Sequence, residues 1–320
     1  MSASTLYATA SGCSGILSAT VSDSHGAATA TATIVCTSCS LDVGDSISVE
    51  LGYSDNHAEV FTGYVKQVNK SQSPTQYEIS CANAMVRAVD YFLVSTNPSQ
   101  PFSRQNIKAE NLIRDLMAEA GLTSYSGGSS SFTFMTQGEP LEVNLTSVYD
   151  YCKFIADILA WSIWADTGGT IHFDDRPPFP HGDSSVATID STNALSISYM
   201  RSDRDLRNRV VVYGRDGVYA EAKSSSPYLP SGFYKSVVIA APGVISTTGQ
   251  ASSAASYNLA KLNRLTIGGS ATIIGNPAIS CRDCVEVDKS DIGMSGQFYV
   301  YGCEHEFGKE GYKVNLDLRK

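Results

Sequence analysis

Apolar and polar positions alternate with a period of two along most of the chain. Over residues 46–51, Ile47, Val49 and Leu51 fall on one side against Ser46, Ser48 and Glu50. That is the pattern of a half-buried strand. The same reading predicts strands at 60–68, 76–81, 195–199, 209–213, 218–221, 271–274, 285–287, 297–303 and 312–318.

Helical periodicity appears in four places. Met85, Ala88, Val89 and Phe92 fall at i, i+3, i+4 and i+7, which predicts a short helix over 83–93. Leu112, Ile113, Leu116 and Met117 mark an amphipathic helix over 109–120, with Gly121 at the position of a left-handed cap. Thr146 is the expected N-cap of a helix to about residue 161, with Val148, Cys152, Ile155 and Leu159 as its buried stripe. A fourth helix, 253–265, carries Leu259 and Leu262. Pro98 and Pro101 close the first helical segment, 126–131 reads as a Gly/Ser loop, and 141–145 as a short strand. Thr167-Gly168-Gly169 joins two strands, 162–166 and 170–174, into a hairpin. Pro177, Pro178 and Pro180 make 176–183 an extended linker.

The first forty residues differ from the rest. They hold 24 Ser, Thr and Ala and a single acid, Asp23. Alternation over 29–35 suits a strand. The alternative is an arm with too little bulk for its own core, which orders against neighbouring subunits.

Composition narrows the function. Charged residues are 17% of the 320 and the net charge is −9. A protein held by phosphate contacts needs a basic face, and one held on anionic membrane by charge needs the same. Residues 1–22 carry no Lys or Arg, so no secretory signal is expected, and no stretch is apolar enough for a membrane helix. The chain is expected to be made in the cytoplasm.

The end of the chain repeats its beginning. Gly44-Asp45-Ser46-Ile47-Ser48-Val49-Glu50 aligns with Arg282-Asp283-Cys284-Val285-Glu286-Val287-Asp288. An aromatic strand follows in each, Phe61-Thr62-Gly63-Tyr64-Val65 and Phe298-Tyr299-Val300-Tyr301-Gly302. Each closes on a Tyr-led strand, from Tyr77 and from Tyr312. Asp45 precedes its Tyr by 32 residues and Asp283 by 29, a difference that fits inside one hairpin loop.

Leu41-Asp42-Val43-Gly44-Asp45-Ser46-Ile47-Ser48-Val49 resembles the L-x-x-G-D-x-V-x-V turn and strand of phage baseplate hub proteins. These are the late-control-protein-D-like hubs of contractile-tailed phages, related to the hub part of type VI secretion spikes. Residues 61–65 resemble their F-x-G-x-V strand, and 109–122 the helix of their small inserted domain. Residues 207–214 resemble their N-x-V-x-V-x-G re-entry strand, and 299–305 with 311–318 their last hairpin. The second copy departs from the pattern with Arg282 where the family turn has Gly.

The resemblance implies an α+β chain, mainly β, with two related barrel-like tube domains at its ends and a small α/β domain between. The expected division is an arm or first strands at 1–40, a first barrel-like domain at 41–100, the α/β domain at 103–175 and a linker at 176–194. A second barrel-like domain at 195–320 would carry a helical and loop insertion over about 214–266. It also implies a structural baseplate protein of the virion, not an enzyme, with no cofactor. Three copies would close into a ring that adapts a six-fold tail tube to a three-fold spike and lines the DNA channel. Implied partners are two further copies, the tube protein or its initiator, a trimeric spike protein and other baseplate proteins. DNA would pass without stable binding, and no membrane contact is implied. No spike extension follows Lys320, so the spike is expected to be a separate chain.

Cys36/Cys39 and Cys281/Cys284 have CxxC spacing; Cys13, Cys81, Cys152 and Cys303 complete the eight. A four-thiolate zinc site would need the two pairs to meet, which nothing in the sequence arranges. The reading is of structural thiols: Cys81 and Cys303 buried and inert, the CxxC pairs near turns and readier to oxidise. Asp23-Ser24-His25 holds triad residue types, but triads assemble in space, and His25 reads as a solvated loop residue. His305 is expected to point out of a late strand. Asp166, His172, Asp174, Asp175, His181 and Asp183 form the densest polar cluster, readable as a metal or hydrolase site, though most of it lies in the Pro-rich linker. Trp161 and Trp164 read as core. His57 stands in a turn. The competing functions are a tail-associated cell-wall or polysaccharide hydrolase, which needs a carboxylate pair or nucleophile, and a sugar-binding adhesin, which needs clustered exposed aromatics.

Overall fold

Small residues let the first forty positions act as strands: Ala19, Val21, Ala32 and Ile34 are buried at 4% exposure or less. The computed structural model describes residues 5–72, 75–94, 102–134 and 140–320. Among them, thirteen strands form one large sheet. In chain order they are β1 (Leu6–Ala10), β2 (Cys13–Ser24), β3 (Thr31–Cys39), β4 (Ser46–Tyr53), β5 (Asn56–Ser71) and β6 (Gln76–Ala82). There follow β7 (Thr188–Ile189), β8 (Ala194–Ile197), β9 (Met200–Ser202), β10 (Thr266–Ile274), β11 (Cys284–Lys289), β12 (Met294–Gly308) and β13 (Gly311–Arg319). The arm alternative for 1–40 is therefore corrected over its described residues. Small side chains need no core of their own when opposite strands supply the bulk.

The strand order is β1-β4-β5-β6-β3-β2-β12-β13-β10-β8, with β11 beside β12, β7 beside β11 and β9 beside β10. The two ends, expected as two separate barrel-like domains, instead share a single continuous sheet. β2 pairs antiparallel with β12, from Ala19–Phe307 to Ser24–Gly302, so one hydrogen-bonded path runs through both ends. One apolar core lies under it, with Val49, Leu51 and Ile79 from the first end and Val285, Val300 and Leu316 from the second.

Among the described residues four α-helices stand outside this sheet: α1 (Val86–Asp90), α2 (Ala109–Glu119), α3 (Val148–Leu159) and α4 (Thr248–Leu262). α1 is shorter than the periodicity suggests: Met85 and Ala88 are buried, but Phe92 is 57% exposed and belongs to a short strand. Gly121 takes φ +73° after α2, as a left-handed cap requires. Ser147, not Thr146, caps α3, its hydroxyl accepting from the Asp150 amide at 3.0 Å. α4 starts earlier than expected because Thr247 and Gln250 form a capping box.

The hairpin of Ser162–Ala165 and Ile171–Asp174 gains a parallel third strand, Tyr125–Gly127, where a loop was expected. Arg209–Tyr213 is not a strand of the large sheet. It sits at the centre of a separate sheet between Tyr219–Lys223 and Ser236–Ala240. That sheet and α4 share a second apolar core with α2 and α3, through Val210, Ala251 and Ala255 against Leu116 and Ile158. Pro98 and Pro101 lie outside the described residues. No helix among the described residues is long and apolar enough to cross a membrane.

Candidate functional site

The two ends of the large sheet are two copies of one six-strand unit. The first runs β1-β4-β5-β6-β3-β2, and the second β7-β11-β12-β13-β10 followed by β8 and β9. The copies match in detail at one turn. The Gly44 amide donates to the Val65 carbonyl at 2.8 Å, and the Arg282 amide to the Val300 carbonyl at 2.8 Å. Val65 donates back to Asp45 at 2.9 Å, and Val300 to Asp283 at 2.8 Å. Asp45 Oδ2 accepts from the Asp42 amide at 2.8 Å, and Asp283 Oδ2 from the Ser280 amide at 2.7 Å. Each carboxylate thus ties its own turn. A bulge follows in both copies, between Val65 and Gln67 on β5 and between Val300 and Gly302 on β12. Register corrects the alignment of the closing strands: Ile79 is opposite Val68, and Leu316 is opposite Cys303. Tyr77 therefore matches Val314 rather than Tyr312. The units differ at their outer strands: β1 is antiparallel to β4, whereas β7 is parallel to β11.

The departure at Arg282 has a structural use. Its φ is +79°, against +96° at Gly44, so an arginine holds a left-handed position. Its side chain is 6% exposed, and Nη1 donates to Asp23 Oδ2 at 2.7 Å. Nη2 donates to the Ser24 carbonyl at 3.1 Å. Asp23 and Ser24 end β2, so this fork fastens the joint between the two units.

The same arginine faces a cavity of about 530 Å³ between the large sheet and the middle hairpin. Its guanidinium lies 5.3 Å from the centre of the Trp164 ring. Trp164 stacks on His172 at 5.0 Å, and His172 Nε2 lies 2.7 Å from Asp166 Oδ2. The row from Asp23 through Arg282, Trp164 and His172 to Asp166 joins the second unit to the hairpin by an ion pair, a cation–ring contact, a ring stack and a His–Asp contact. Trp164 is thus partly a cavity wall, while Trp161 packs on Phe173.

The polar cluster of the sequence is divided: Asp166, His172 and Asp174 line the cavity that Arg282 faces, while Asp175 and His181 line a second one beside Trp161. Asp166 and His172 meet, but Asp183 pairs with Arg176 at 2.9 Å and His181 stacks on Phe179. Asp174 accepts from the Asp175 amide. Among the described residues, no group of three or more His, Cys, Asp or Glu is placed to hold a metal ion.

Two histidine expectations are corrected. His25 is wedged between rings: Nδ1 lies 2.9 Å from the Tyr299 hydroxyl and the ring stacks on Tyr301 at 5.2 Å. Burial, with Arg282 nearby, lowers its pKa to about 3. His305 points inward at 4% exposure. Its Nε2 lies 3.0 Å from the Ile279 carbonyl and its Nδ1 2.7 Å from the Tyr312 hydroxyl. A carbonyl only accepts, so Nε2 donates and Nδ1 accepts. Burial lowers this pKa to about 4. His57 stacks on Tyr7 at 3.9 Å.

All eight cysteines are free thiols. Cys81 and Cys303 are buried, and burial pushes the Cys81 thiol up to about 12. The CxxC pairs are less open than their turns suggested: Cys36 is 0% exposed, Cys281 9% and Cys284 2%. Cys13 and Cys39 are the partly exposed ones, and they face each other across β2 and β3.

No family model and no curated protein matches this sequence. Solved structures do match. A tail protein from Neisseria meningitidis MC58 aligns at TM-score 0.70 and 12% identity, over 98% of this chain and 96% of that one. The 43 kDa tail protein of prophage MuSo2 from Shewanella oneidensis aligns at TM-score 0.66 and 13% identity, over 98% and 97%. The E. coli c3393 protein is described as a component of the type VI secretion system with structural similarity to T4 bacteriophage tail proteins. It aligns at TM-score 0.60 and 10% identity, over 98% of this chain and 76% of that one. The sheet with its inserted helices, from the first strand to the last, is thus the fold of phage tail proteins and of a type VI secretion component.

Proposed function

We propose that this chain is a structural hub of a phage-type tail baseplate. Three copies close into a ring that seats a six-fold tail tube on one face and a three-fold spike on the other. The observation that carries the reading is the doubled six-strand unit with its repeated turn. Three chains with two such units present six similar surfaces, while their unrepeated parts remain three-fold. Each unit, curled as a barrel, would line a channel for DNA, and the net charge of −9 would keep the duplex from adhering. Chain division follows the same reading: the strands of residues 6–82, 188–202 and 266–319 build the tube layer, and the middle α/β unit stands outside it together with the sheet centred on Arg209–Tyr213 and α4. The chain works by assembly, in the virion tail, after synthesis in the host cytoplasm. The reading assigns no catalytic, cofactor or metal residue.

One surface is suited to another baseplate protein. Tyr213, Tyr219, Tyr228, Phe233 and Tyr234 are 41–52% exposed on and beside the sheet centred on Arg209–Tyr213. Such aromatic faces are favoured in interfaces. The test is imaging of assembled particles with the chain carrying a bulky tag. Density at the tube–spike junction, repeated three times, supports the reading. Tag density along the tube or on side fibres contradicts it.

A further inference from the structure

The chain makes one joint between its two units and leaves the matching joint open. The far half of β12 has β13 on one side and β2 on the other. The equivalent half of β5, from Lys66 to Ser71, has β6 on one side and, among the described residues, no strand on the other. The equivalent of β2 is the pair β8 and β9, which among the described residues is paired on one side only, by β10. Both halves of a second joint are therefore present on one chain, on different units.

We propose that β8 and β9 of one chain add to the far half of β5 of a second copy, in the register that β2 takes on β12. This rests on the ring reading above and names its contact. In the joint already made, Ser22 is opposite Glu304 and Ser24 opposite Gly302. Carried to the other units, Met200 is opposite Asn69 of the second copy, and Ser202 opposite its Gln67.

Charge supports this register. Asp23 at the built joint meets Arg282 on the turn. Its equivalent on β9 is Arg201, and the equivalent turn has Gly44 in place of Arg282 and carries the exposed Asp42 two residues before it. An arginine on the strand would thus face a carboxylate on the turn, the reverse of the signs at the built joint. At the next position His25 stacks on Tyr301, and the equivalents are Asp203 and Lys66, both exposed and of opposite sign. Each has a partner within its own chain, Lys235 and Asp90, at the surface where such pairs exchange readily. Leu195, Tyr199 and Met200, 40–62% exposed along the free edge, would be covered. An edge with open backbone groups and apolar side chains is a template for a further strand. The contact is head-to-tail, which closes into a ring when the rotation permits.

The test places cysteines at Asn69→Cys and Met200→Cys in the full-length chain, with the unaltered chain as background for its native thiols. Directly opposite residues approach within about 5.5 Å between Cβ atoms. Mild oxidation should give a covalent ladder of two and three chains. Asn69→Cys with Ser198→Cys, displaced by about 7 Å along the strand, should give none above background. Light scattering on the same samples separates the failures. A multi-chain mass without a register-specific ladder overturns this joint and leaves the ring standing. A single-chain mass at every concentration, with no cross-link in assembled tails, overturns the ring and the joint together.

Discussion

Arg282 holds in the second unit the left-handed backbone position that Gly44 holds in the first. A residue with a Cβ pays about 1 kcal/mol for that conformation. The compensation is the buried fork from Arg282 to Asp23 and Ser24. Arg282→Gly relieves the backbone but leaves Asp23 without its partner, and breaking a buried pair costs about 3–5 kcal/mol. The expected net loss is about 2–4 kcal/mol, seen as a lower urea midpoint. A midpoint at or above that of the unaltered chain would show that the joint does not depend on this pair.

Acid should loosen the same region. His25 and His305 are neutral in the fold, with pKa values lowered by burial to about 3 and about 4. An unfolded histidine titrates near 6.5. Between pH 6.5 and about 4 the unfolded chain therefore binds more protons, so stability falls as pH falls. The slope from each histidine is at most about 1.4 kcal/mol per pH unit. Chemical denaturation at pH 7, 6, 5 and 4 measures it. His305→Gln should flatten the dependence; an unchanged slope would remove His305 from the account.

The repeated turn was legible because its chemistry is local: Asp45 and Asp283 each bond within their own turn, and the strands around them alternate cleanly. The match of Tyr77 to Tyr312 failed by two residues for a reason of the same kind. A two-residue slip keeps every side chain on its face, so alternation cannot detect it. Arg209-Val210-Val211-Val212-Tyr213 read correctly as a strand, but a valine run does not say which sheet it joins. The β2–β12 joint links residues about 280 apart, and no periodicity reports on such a contact. Arg282 in a glycine's place stood out in the sequence only as a departure; its contact with Asp23 is visible in the fold alone. The cluster around Asp166 shows the converse: Asp166, His172 and Asp174 share a cavity wall, yet among the described residues no three such groups are placed to hold a metal ion.

Oxidation should act first at Cys13 and Cys39. They are partly exposed and directly opposite on β2 and β3, whereas the CxxC thiols are mostly buried. Burial, reinforced by the neighbouring thiols Cys36 and Cys39, raises the Cys13 pKa, so reaction should be slow near pH 7 and faster at pH 9. Peptide mapping after mild oxidation should find a Cys13–Cys39 disulfide. A Cys281–Cys284 disulfide appearing first would contradict this.

Gly269 should be intolerant of any side chain. A Cβ there would collide with the Ser198 carbonyl, where β8 passes to β9 over β10. Gly269→Ala should cost about 1–3 kcal/mol through forced backbone movement. Hydrogen exchange should rise over residues 194–202 while β4 and β5 keep their protection. Uniform loss of protection would place the cost elsewhere.

The account turns on how many copies assemble. Light scattering on the full-length chain measures this directly. A chain of 34.1 kDa in a closed ring of three gives about 102 kDa, with no smaller or larger species persisting on dilution to the micromolar range. A stable dimer, or a mass that climbs without limit as an open filament would, contradicts the ring.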